Sequence, residues 1–456
     1  MTDIGESVHA PQPPEEPERP EDDLKSKIKV RFSVFFDGTL NNRDNTGARE
    51  KNTAAYRNNK KSDSYGNDYS NVAKMERYVE EQADGYDFAF STYVEGIGTQ
   101  NFGSDKNIGY ALGQGSTGVE AKVRIGITRV LNKMQEEIED KGIIEKLTLD
   151  VFGFSRGAAA ARNFIHQALS TQSSYIATGY GGMVEVPARP LKRRLVSAGF
   201  EDVELVEVHF AGLYDTVASH GLSHSNDTET LHLDSIAKYK AKKVLQLAAA
   251  EEYRANFSLT NVNSTGGKQV FLPGVHSDIG GGYRDGHGED LVIRESHSEA
   301  ELNRDRADLM AQGWYHDQEI TVVKPFISTM SMGYGYMAPP IPGKITVTRQ
   351  SISNHYSRIP LRIMARFARE NGINILPDLE DENAITGAFL NQVYQRLDAY
   401  ANGGSKKQDW FHNAPWLRQL RHDYLHFSAQ LETTWGVAAH KPNLVNGRRE
   451  RVEHYG

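Results

Sequence analysis

The chain has 456 residues, 38% of them hydrophobic and 25% charged, which suits a soluble globular protein with one large α/β domain plus an addition, or with two domains. Its net charge of −8 argues against general nucleic-acid binding, and the absence of cysteine excludes disulfides, cysteine nucleophiles and thiolate metal sites. No long apolar run predicts a membrane-spanning helix, and the first residues lack the basic and apolar regions of a secretory signal peptide.

The N-terminal segment, residues 1–27, is predicted to be a disordered acidic arm. Residues 1–26 hold five of the sixteen prolines together with many glutamates and aspartates, a composition that cannot bury enough apolar surface to fold. We interpret the arm as a solubilising tail, with a docking segment for a partner protein as the alternative.

The first predicted strand runs from Lys29 to Phe36 and ends in the turn Asp37-Gly38-Thr39. The same tripeptide follows an apolar strand in haloacid-dehalogenase phosphatases, but those enzymes need a second aspartate two residues earlier, where this chain has Phe35. The phosphatase interpretation therefore fails. We expect the turn to lie at the carboxyl edge of the sheet, where an N–H of Gly38 or Thr39 can stabilise an oxyanion.

A glycine-rich segment precedes the longest clear helical pattern. Gly113 to Gly118 match G-x-G-x-x-G, but no clear strand comes before them, which favours a helix entry near the active-site rim over a dinucleotide site. From Val119 to Ile138, apolar residues recur at steps of three and four, which predicts one amphipathic helix that ends near Gly142.

The segment from Leu147 to Phe164 carries the strongest catalytic signal. It begins as a buried strand and continues as an alanine-rich helix, with the sequence GFSRG between the two. In such a nucleophile elbow, a sharp strand-to-helix turn lifts the serine Oγ out of the sheet, which makes Ser155 the candidate nucleophile. The turn is so tight that Gly153 and Gly157 are needed on either side. The helix N-terminus offers free N–H groups to an oxyanion.

Two further polar residues each follow a later predicted strand. Asp215 comes after the strand Glu204–Gly212, and His276 comes after the short strand Lys268–Leu272 and shortly before three glycines. In α/β-hydrolases the nucleophile, the acid and the base follow one another in this order along the chain. The predicted chemistry is acyl transfer by a Ser-Asp-His triad, which requires no cofactor.

Alternatives for the site remain open at this point. His276 and Asp278 could instead bind a metal ion together with Asp37 or Asp215, although no regular ligand spacing supports this. His426 is the alternative catalytic base.

Other segments are predicted around this core. Ser235–Phe257 is predicted to form one long helix packed on the sheet, and residues 286–320 to form a charged surface helix or excursion. Phe326–Pro342 is rich in methionine, tyrosine and proline, which is typical either of an irregular core segment or of a lipid-facing lid. Helices are expected at Ile359–Arg369 and Ala384–Tyr400.

Several of these motifs together resemble one family. They are FFDGTLNN at 35–42, GFSRGAAAAR at 153–162, GLYDTVAS at 212–219 and PGVHSDIGGGY at 273–283. As a set they resemble the α/β-hydrolase domain of the type VI secretion phospholipase effectors, the Tle lipases. The resemblance extends from residue 30 to about residue 430, densely up to 285. It implies an α/β fold with a mostly parallel central sheet, helices on both faces and helical C-terminal additions.

The resemblance also implies roles for single residues. The nucleophile of the family falls on Ser155, its triad aspartate on Asp215 and its triad histidine on His276. The backbone N–H groups of Arg156 and Gly38 are the matching candidates for an oxyanion hole.

The family further implies a substrate, partners and a destination. Its members hydrolyse acyl ester bonds of membrane phospholipids, and they reach rival bacteria through a secretion spike or an adaptor protein. The producing cell makes an immunity protein. This chain is accordingly expected to be made in the cytoplasm without a signal peptide and delivered into the periplasm of target bacteria. Many relatives carry a larger C-terminal membrane-anchoring module, for which this chain leaves little room.

The expected organisation has three parts: the arm at 1–27, an α/β-hydrolase catalytic core at 28–290, and a lid or insertion followed by a mainly helical C-terminal part at 291–456, packed on the core. Two other functions compete with the phospholipase. One is a serine esterase for small soluble esters. The other is a cargo or interaction module that docks through the arm or the C-terminal third.

Overall fold

A computed structural model describes residues 27–106, 115–177, 183–220, 225–226, 228–229, 231–326, 340–403, 414–430 and 440–456. The predicted acidic arm and nearly all of the segment Phe326–Pro342 lie outside the described residues. Among the described residues no helix is long and apolar enough to cross a membrane.

The strands form one central sheet and several small ones. In chain order they are β1 (Lys27–Phe36), β2 (Phe88–Val94), β3 (Ile143–Phe154), β4 (Ser174–Ala177), β5 (Met183–Val186), β6 (Asp202–Tyr214), β7 (Ser219–His220), β8 (Ser225–Asn226), β9 (Lys243–Ala249), β10 (Leu259–Thr260), β11 (Lys268–Leu272), β12 (His287–Ser296), β13 (Ile320–Val323), β14 (Gly343–Ile352), β15 (Leu444–Val445), β16 (Arg448–Arg449) and β17 (Glu453–His454).

The helices are mostly short, with a few long ones on the faces of the central sheet. In chain order they are α1 (Arg43–Glu50), α2 (Ala54–Asn58), α3 (Asp63–Gly66), α4 (Asn71–Glu76), α5 (Val119–Glu137), α6 (Arg156–Leu169), α7 (Leu191–Ser197), α8 (Ser235–Lys238), α9 (His276–Gly280), α10 (Glu299–Gln312), α11 (Arg358–Glu370), α12 (Asp378–Glu382), α13 (Ala388–Gly403) and α14 (Pro415–Tyr424).

The central sheet has six strands in the order β11-β9-β6-β3-β1-β2, and every neighbouring pair is parallel. The chain passes from β1 outward to β2, returns to β3, and then builds the sheet in the opposite direction through β6, β9 and β11. The direction of winding therefore reverses between β1 and β3. In open parallel sheets this switch point opens a crevice at the carboxyl ends of the strands, where active sites form.

Alternating side chains of the strands divide the core between the two faces of the sheet. Val34 and Val151 belong to a cluster with α5, α6 and α7 on one face. Their neighbours Phe35 and Phe152 stack with ring centroids 4.4 Å apart and belong to a cluster with α4, α11 and the small antiparallel sheet β12-β14-β13 on the other face. Successive side chains of a strand point to opposite faces of the sheet, so each strand contributes to both clusters. Helices cover the sheet on both faces.

The predicted long helix at Ser235–Phe257 is wrong. Only the four residues of α8 are α-helical there, Ala255–Phe257 forms a short 3-10 turn, and Lys243–Ala249 forms β9 within the parallel sheet. The sequence KVLQLAA is rich in good helix formers, but a strand that is covered on both faces also reads as a continuous apolar run. All six residues after Lys243 are buried, and pairing with β6 and β11 overrides the local propensity.

Other segments also differ from their predicted form. The region 286–320, predicted as a charged surface helix or excursion, contains the strand β12 before the helix α10. The strand forms because it pairs antiparallel with β14. The predicted helix that begins at Val119 is confirmed by α5, although it ends at Glu137 and not near Gly142. The predicted helix Ile359–Arg369 is confirmed by α11 to within one residue at each end. The predicted fold class, an α/β-hydrolase-like parallel sheet with helices on both faces, is confirmed.

Candidate active site

Ser155 lies in the sharp turn between β3 and α6, at the switch point of the sheet. Its backbone has φ 60° and ψ −130°, a strained conformation for a residue other than glycine. Neighbouring strands hold it there, because its N–H donates to the carbonyl of Tyr214 at 3.0 Å and its carbonyl accepts from the N–H of Val217 at 3.3 Å. Strain of this kind at a strand-to-helix turn is typical of a nucleophile elbow.

The two glycines that flank the serine permit close backbone contacts. A Cβ atom on Gly157 would lie 2.2 Å from the carbonyl oxygen of Asp37 and 2.4 Å from that of Phe36. A Cβ atom on Gly153 would lie 2.5 Å from the Cα of Ala158. Real Cβ contacts are never this short, so a side chain at either position would push α6 away from the sheet.

The turn after β1 lies beside the elbow, and a side-chain contact joins the two. The Nε of Arg156 donates to the Oγ1 of Thr39 at 2.8 Å. The N–H of Gly38, the predicted oxyanion donor, is directed to the Oδ1 of Asp37 at 2.7 Å. Within the described part of the chain, the N–H groups of Thr39 and Arg156 have no acceptor.

Asp37 is buried among neutral hydrogen-bond donors. Its carboxylate accepts hydrogen bonds from the hydroxyls of Ser70 and Tyr93, both at 2.6 Å, as well as from the Gly38 N–H. Burial raises the pKa of Asp37 to about 6, against the stabilising effect of these donors.

Asp37→Asn is expected to remove a pH-dependent contribution to the free energy of unfolding. A raised pKa in the folded state means that Asp37 favours folding below its ordinary pKa, and that this contribution is lost as the pH rises through about 6. The free energy of unfolding of the wild type should therefore fall by about 2 kcal/mol relative to Asp37→Asn between pH 4 and pH 7. Urea unfolding of both proteins across this range measures it, and a difference that stays constant with pH would contradict it.

Asp215 follows β6 and lies at the carboxyl end of the neighbouring strand β9. It also has a positive φ, 46°, and its Oδ1 accepts the N–H of Ala249 at 2.8 Å. Its Oδ2 lies 2.6 Å from the Nδ1 of His276, the first residue of α9. The structure therefore brings together two of the predicted triad residues, which are 61 positions apart in the chain.

The imidazole of His276 is enclosed by aromatic rings. Its centroid lies 4.7 Å from that of Phe154, next to the serine, and 5.0 Å from that of Phe257. Burial lowers the pKa of His276, although its hydrogen bond to Asp215 opposes this. A lowered pKa keeps the imidazole neutral near pH 7, as a proton acceptor must be.

Arg451 is a site residue that the sequence analysis missed. Its guanidinium lies across the carboxylate of Asp215, with Nη1 2.7 Å from Oδ1 and Nη2 2.8 Å from Oδ2. Burial alone would raise the pKa of Asp215, but the charges of Arg451 and His276 hold it well below its usual range. The segment that carries Arg451 is held in place because β17 pairs in parallel with β10. No local sequence signal marks this arginine, since its contact with Asp215 depends on the folded path of the chain.

A second buried ion pair supports His276 from its backbone side. The N–H of His276 donates to the Oε2 of Glu252 at 3.2 Å, and Glu252 forms a fork-like pair with Arg254 at 2.7 and 2.9 Å. Burial would raise the pKa of Glu252, but the charge of Arg254 lowers it to about 2. Arg254 in turn lies 3.4 Å above the ring of Phe257, which contacts the imidazole of His276.

His426, the alternative base, pairs with a different carboxylate. Its Nδ1 lies 2.8 Å from the Oδ1 of Asp278, and its ring stacks on Tyr283 with centroids 3.7 Å apart. Its buried Nε2 has no partner among the described residues. Among the described residues there are thus two buried aspartate–histidine pairs, and only that of His276 includes Asp215.

One family of known proteins matches part of the chain. Residues 188–303 match the family model of the type VI secretion phospholipase effector Tle1-like catalytic domain, a range that includes Asp215 and His276. A search of the curated proteins found no significant match.

Two solved structures are similar to the fold. One is described as the Tle1 effector bound to the VgrG spike of the type VI secretion system, with a TM-score of 0.65, 22% identity and 94% of each chain covered. The other is an uncharacterized protein from Pseudomonas aeruginosa, with a TM-score of 0.40 and 17% identity. The match covers 86% of this chain and 52% of that one. The predicted resemblance to the type VI secretion phospholipase effectors is thereby confirmed, in sequence over residues 188–303 and in fold over 94% of the chain.

Proposed function

We propose that this protein is a serine phospholipase that cleaves acyl ester bonds of membrane phospholipids through Ser155, His276 and Asp215. The hydrogen bond of 2.6 Å between Asp215 and His276, beside the strained turn at Ser155, carries the proposal. A serine on such a turn and a histidine oriented by a buried carboxylate form the recurrent arrangement for acyl transfer.

The reaction proceeds in two steps. The Nδ1–H of His276 donates to Asp215, so that Nε2 accepts the proton of Ser155 as its Oγ attacks the ester carbonyl. His276 then gives this proton to the departing oxygen of the lysophospholipid. In the second step water attacks the acyl-serine, with His276 again as the base, and the fatty acid leaves.

The oxyanion of each tetrahedral intermediate is stabilised by backbone N–H groups. One is that of Arg156 at the N-terminus of α6, and the other is that of Thr39, because the N–H of Gly38 is engaged by Asp37. In comparable sites, loss of one such donor costs about 3–4 kcal/mol of transition-state stabilisation. A hydrogen bond between the side chains of Arg156 and Thr39 joins the two residues that carry these donors.

The similarity to the effectors supports a proposal for the delivery and the target of this chain. The fold match to a Tle1 effector bound to a VgrG spike supports a secretion spike or an adaptor protein as the partner of this chain. The substrate is the phospholipid surface of a target bacterium, reached from its periplasm, and the producing cell needs an immunity protein against it.

The test compares fatty-acid release from phosphatidylethanolamine and phosphatidylglycerol vesicles by the wild type, Ser155→Ala and Ser197→Ala. Ser197 is an exposed serine on α7 and serves as the matched control. We expect release by the wild type and the control only, with mass spectrometry of the products showing lysophospholipid. Equal release by Ser155→Ala would overturn the triad. Turnover of p-nitrophenyl acetate without lipid products would indicate a soluble esterase.

Arg451→Met is expected to shift the pH dependence of this reaction. The guanidinium neutralises part of the charge of Asp215. Without it, the carboxylate stabilises the imidazolium of His276 more strongly and raises the pKa of the base. The acidic limb of kcat/KM should therefore move upward by about one pH unit, with a smaller loss of activity at pH 9 than at pH 6.

Arg451→Lys is the matched control, because it keeps the charge but loses the fork-like geometry. Its acidic limb should lie between those of the wild type and Arg451→Met. A profile that falls uniformly at every pH would show that Arg451 acts only through folding.

A further inference from the structure

Three potential metal ligands lie together far from the triad in sequence. They are His316, which precedes the short turn Asp317–Glu319, then Glu319 itself, and His422 on α14. Each offers one ligand atom, and these atoms all lie within 4.8 Å of one another. Glu319 and His422 are 103 positions apart, so the fold brings this group together.

The ring of His422 is held between two carboxylates. Its Nδ1 lies 2.7 Å from the Oδ1 of Asp423, and its Nε2 lies 3.0 Å from the Oε2 of Glu319. A neutral imidazole has one N–H and can donate to only one of them. If a cation is bound by both Nε2 and Glu319, the single N–H of the ring is on Nδ1 and can donate to Asp423. Both short contacts of His422 are then explained.

This orientation is the one that metal-binding histidines use. A ligating histidine commonly donates its other ring N–H to a carboxylate, which fixes the tautomer and makes the ligating nitrogen more basic. The ring of His316 lies beside that of His422, with centroids 3.9 Å apart, so both imidazoles can contact the same ion.

The surroundings give an ion access and space for water. His316 is exposed, and it lines a hollow of about 380 Å³ together with His422, Asp423 and Tyr315. Catalytic and exchangeable zinc sites combine three protein ligands with a water in the fourth position. Ligands of tetrahedral zinc are separated by about 3.4 Å at bond lengths of 2.0–2.1 Å, which rotation of these partly exposed side chains allows.

We propose that His316, Glu319 and His422 bind a divalent transition-metal ion of the zinc class, with Asp423 orienting His422. The ion ties α14 to the segment before β13. The chain after α14 continues into Phe427, whose N–H donates to Glu289 at 2.6 Å. The site is separate from the triad, and its role is to stabilise this junction.

The test uses the full chain without a histidine tag, freed of metal by a chelator. Titration with Zn²⁺ should show one equivalent of tight binding, and Co²⁺ should give the visible absorption of a low-symmetry site with nitrogen ligands. His316→Ala and Glu319→Gln should each weaken the binding of Zn²⁺ by at least about tenfold, and Asp423→Asn by about 10–100-fold. His287→Ala, at an exposed histidine on β12, is the control and should bind as the wild type does.

The melting temperature of the wild type should rise with Zn²⁺, and that of His316→Ala should not. Because His316 is exposed, this variant tests the site without a change in the core. Binding that is unaffected by His316→Ala and Glu319→Gln, or several weak equivalents shared with His287→Ala, would overturn the proposal. Neither readout depends on lipase activity, so the result is independent of the proposed function.

Discussion

Replacing His276 with alanine is expected to lower kcat for phospholipid hydrolysis by about 10⁴ to 10⁶-fold, since the proposed triad then lacks the group that accepts the proton of Ser155. The same change at His426 should leave kcat within about tenfold of the wild type. Both histidines are buried and each is bonded to an aspartate, so that burial or pairing alone does not distinguish them. What distinguishes them is the partner: His276 shares Asp215 with Arg451.

The two variants are matched in their structural cost. In His426→Ala, Asp278 keeps the backbone N–H groups of Val275 and residue 426 as donors at 3.0 and 3.2 Å, which limits the loss of stability. Kinetics on phospholipid vesicles, with far-UV circular dichroism as the check on folding, decide the question. A large fall in kcat for His426→Ala, with an active His276→Ala, would move the base to the second pair.

Gly157→Ala is expected to destabilise the protein by about 3–5 kcal/mol and to abolish hydrolysis. The new methyl group would lie 2.2 Å from the carbonyl oxygen of Asp37 and 2.4 Å from that of Phe36. Both are backbone atoms at the carboxyl end of β1, so relief requires α6 to move and Ser155 to lose its position. Urea unfolding measures the loss of stability, and fatty-acid release measures the loss of activity.

Gly66→Ala is the control for this substitution. Gly66 ends the helix α3, has no atoms within 4 Å of the position of a Cβ, and does not need a positive φ. Its replacement should change the free energy of unfolding by no more than about 0.5 kcal/mol. If Gly157→Ala were equally harmless, the close contact between α6 and β1 would be wrong.

Much of the fold could be predicted from hydrophobic patterns. The amphipathic period of α5 and the alternation of strand and helix around Ser155 both arise from local contacts that leave a regular signal. Lys243–Ala249 could not be assigned in the same way. A strand inside a parallel sheet has no alternation, and its Leu- and Ala-rich composition favours a helix until β6 and β11 pair with it.

The candidate site was predictable where it follows strand ends. Ser155 and Asp215 come directly after a strand, and His276 follows the end of β11 by four residues; parallel strands place such residues at one edge. Arg451 has no such marker, because its position depends on a short strand pair, β10 with β17. The turn pattern did not indicate that the carboxylate of Asp37 would accept the N–H of Gly38, at 2.7 Å.

The ion pair between Arg451 and Asp215 also has a consequence for synthesis. The two residues are 236 positions apart, so the ribosome adds the arginine roughly 10 to 50 s after the aspartate. During that interval the buried carboxylate lacks its cation, and the nascent chain holds an unfinished catalytic centre. The proposed triad therefore matures late, after the strands that precede Ser155 and Asp215 have already been made.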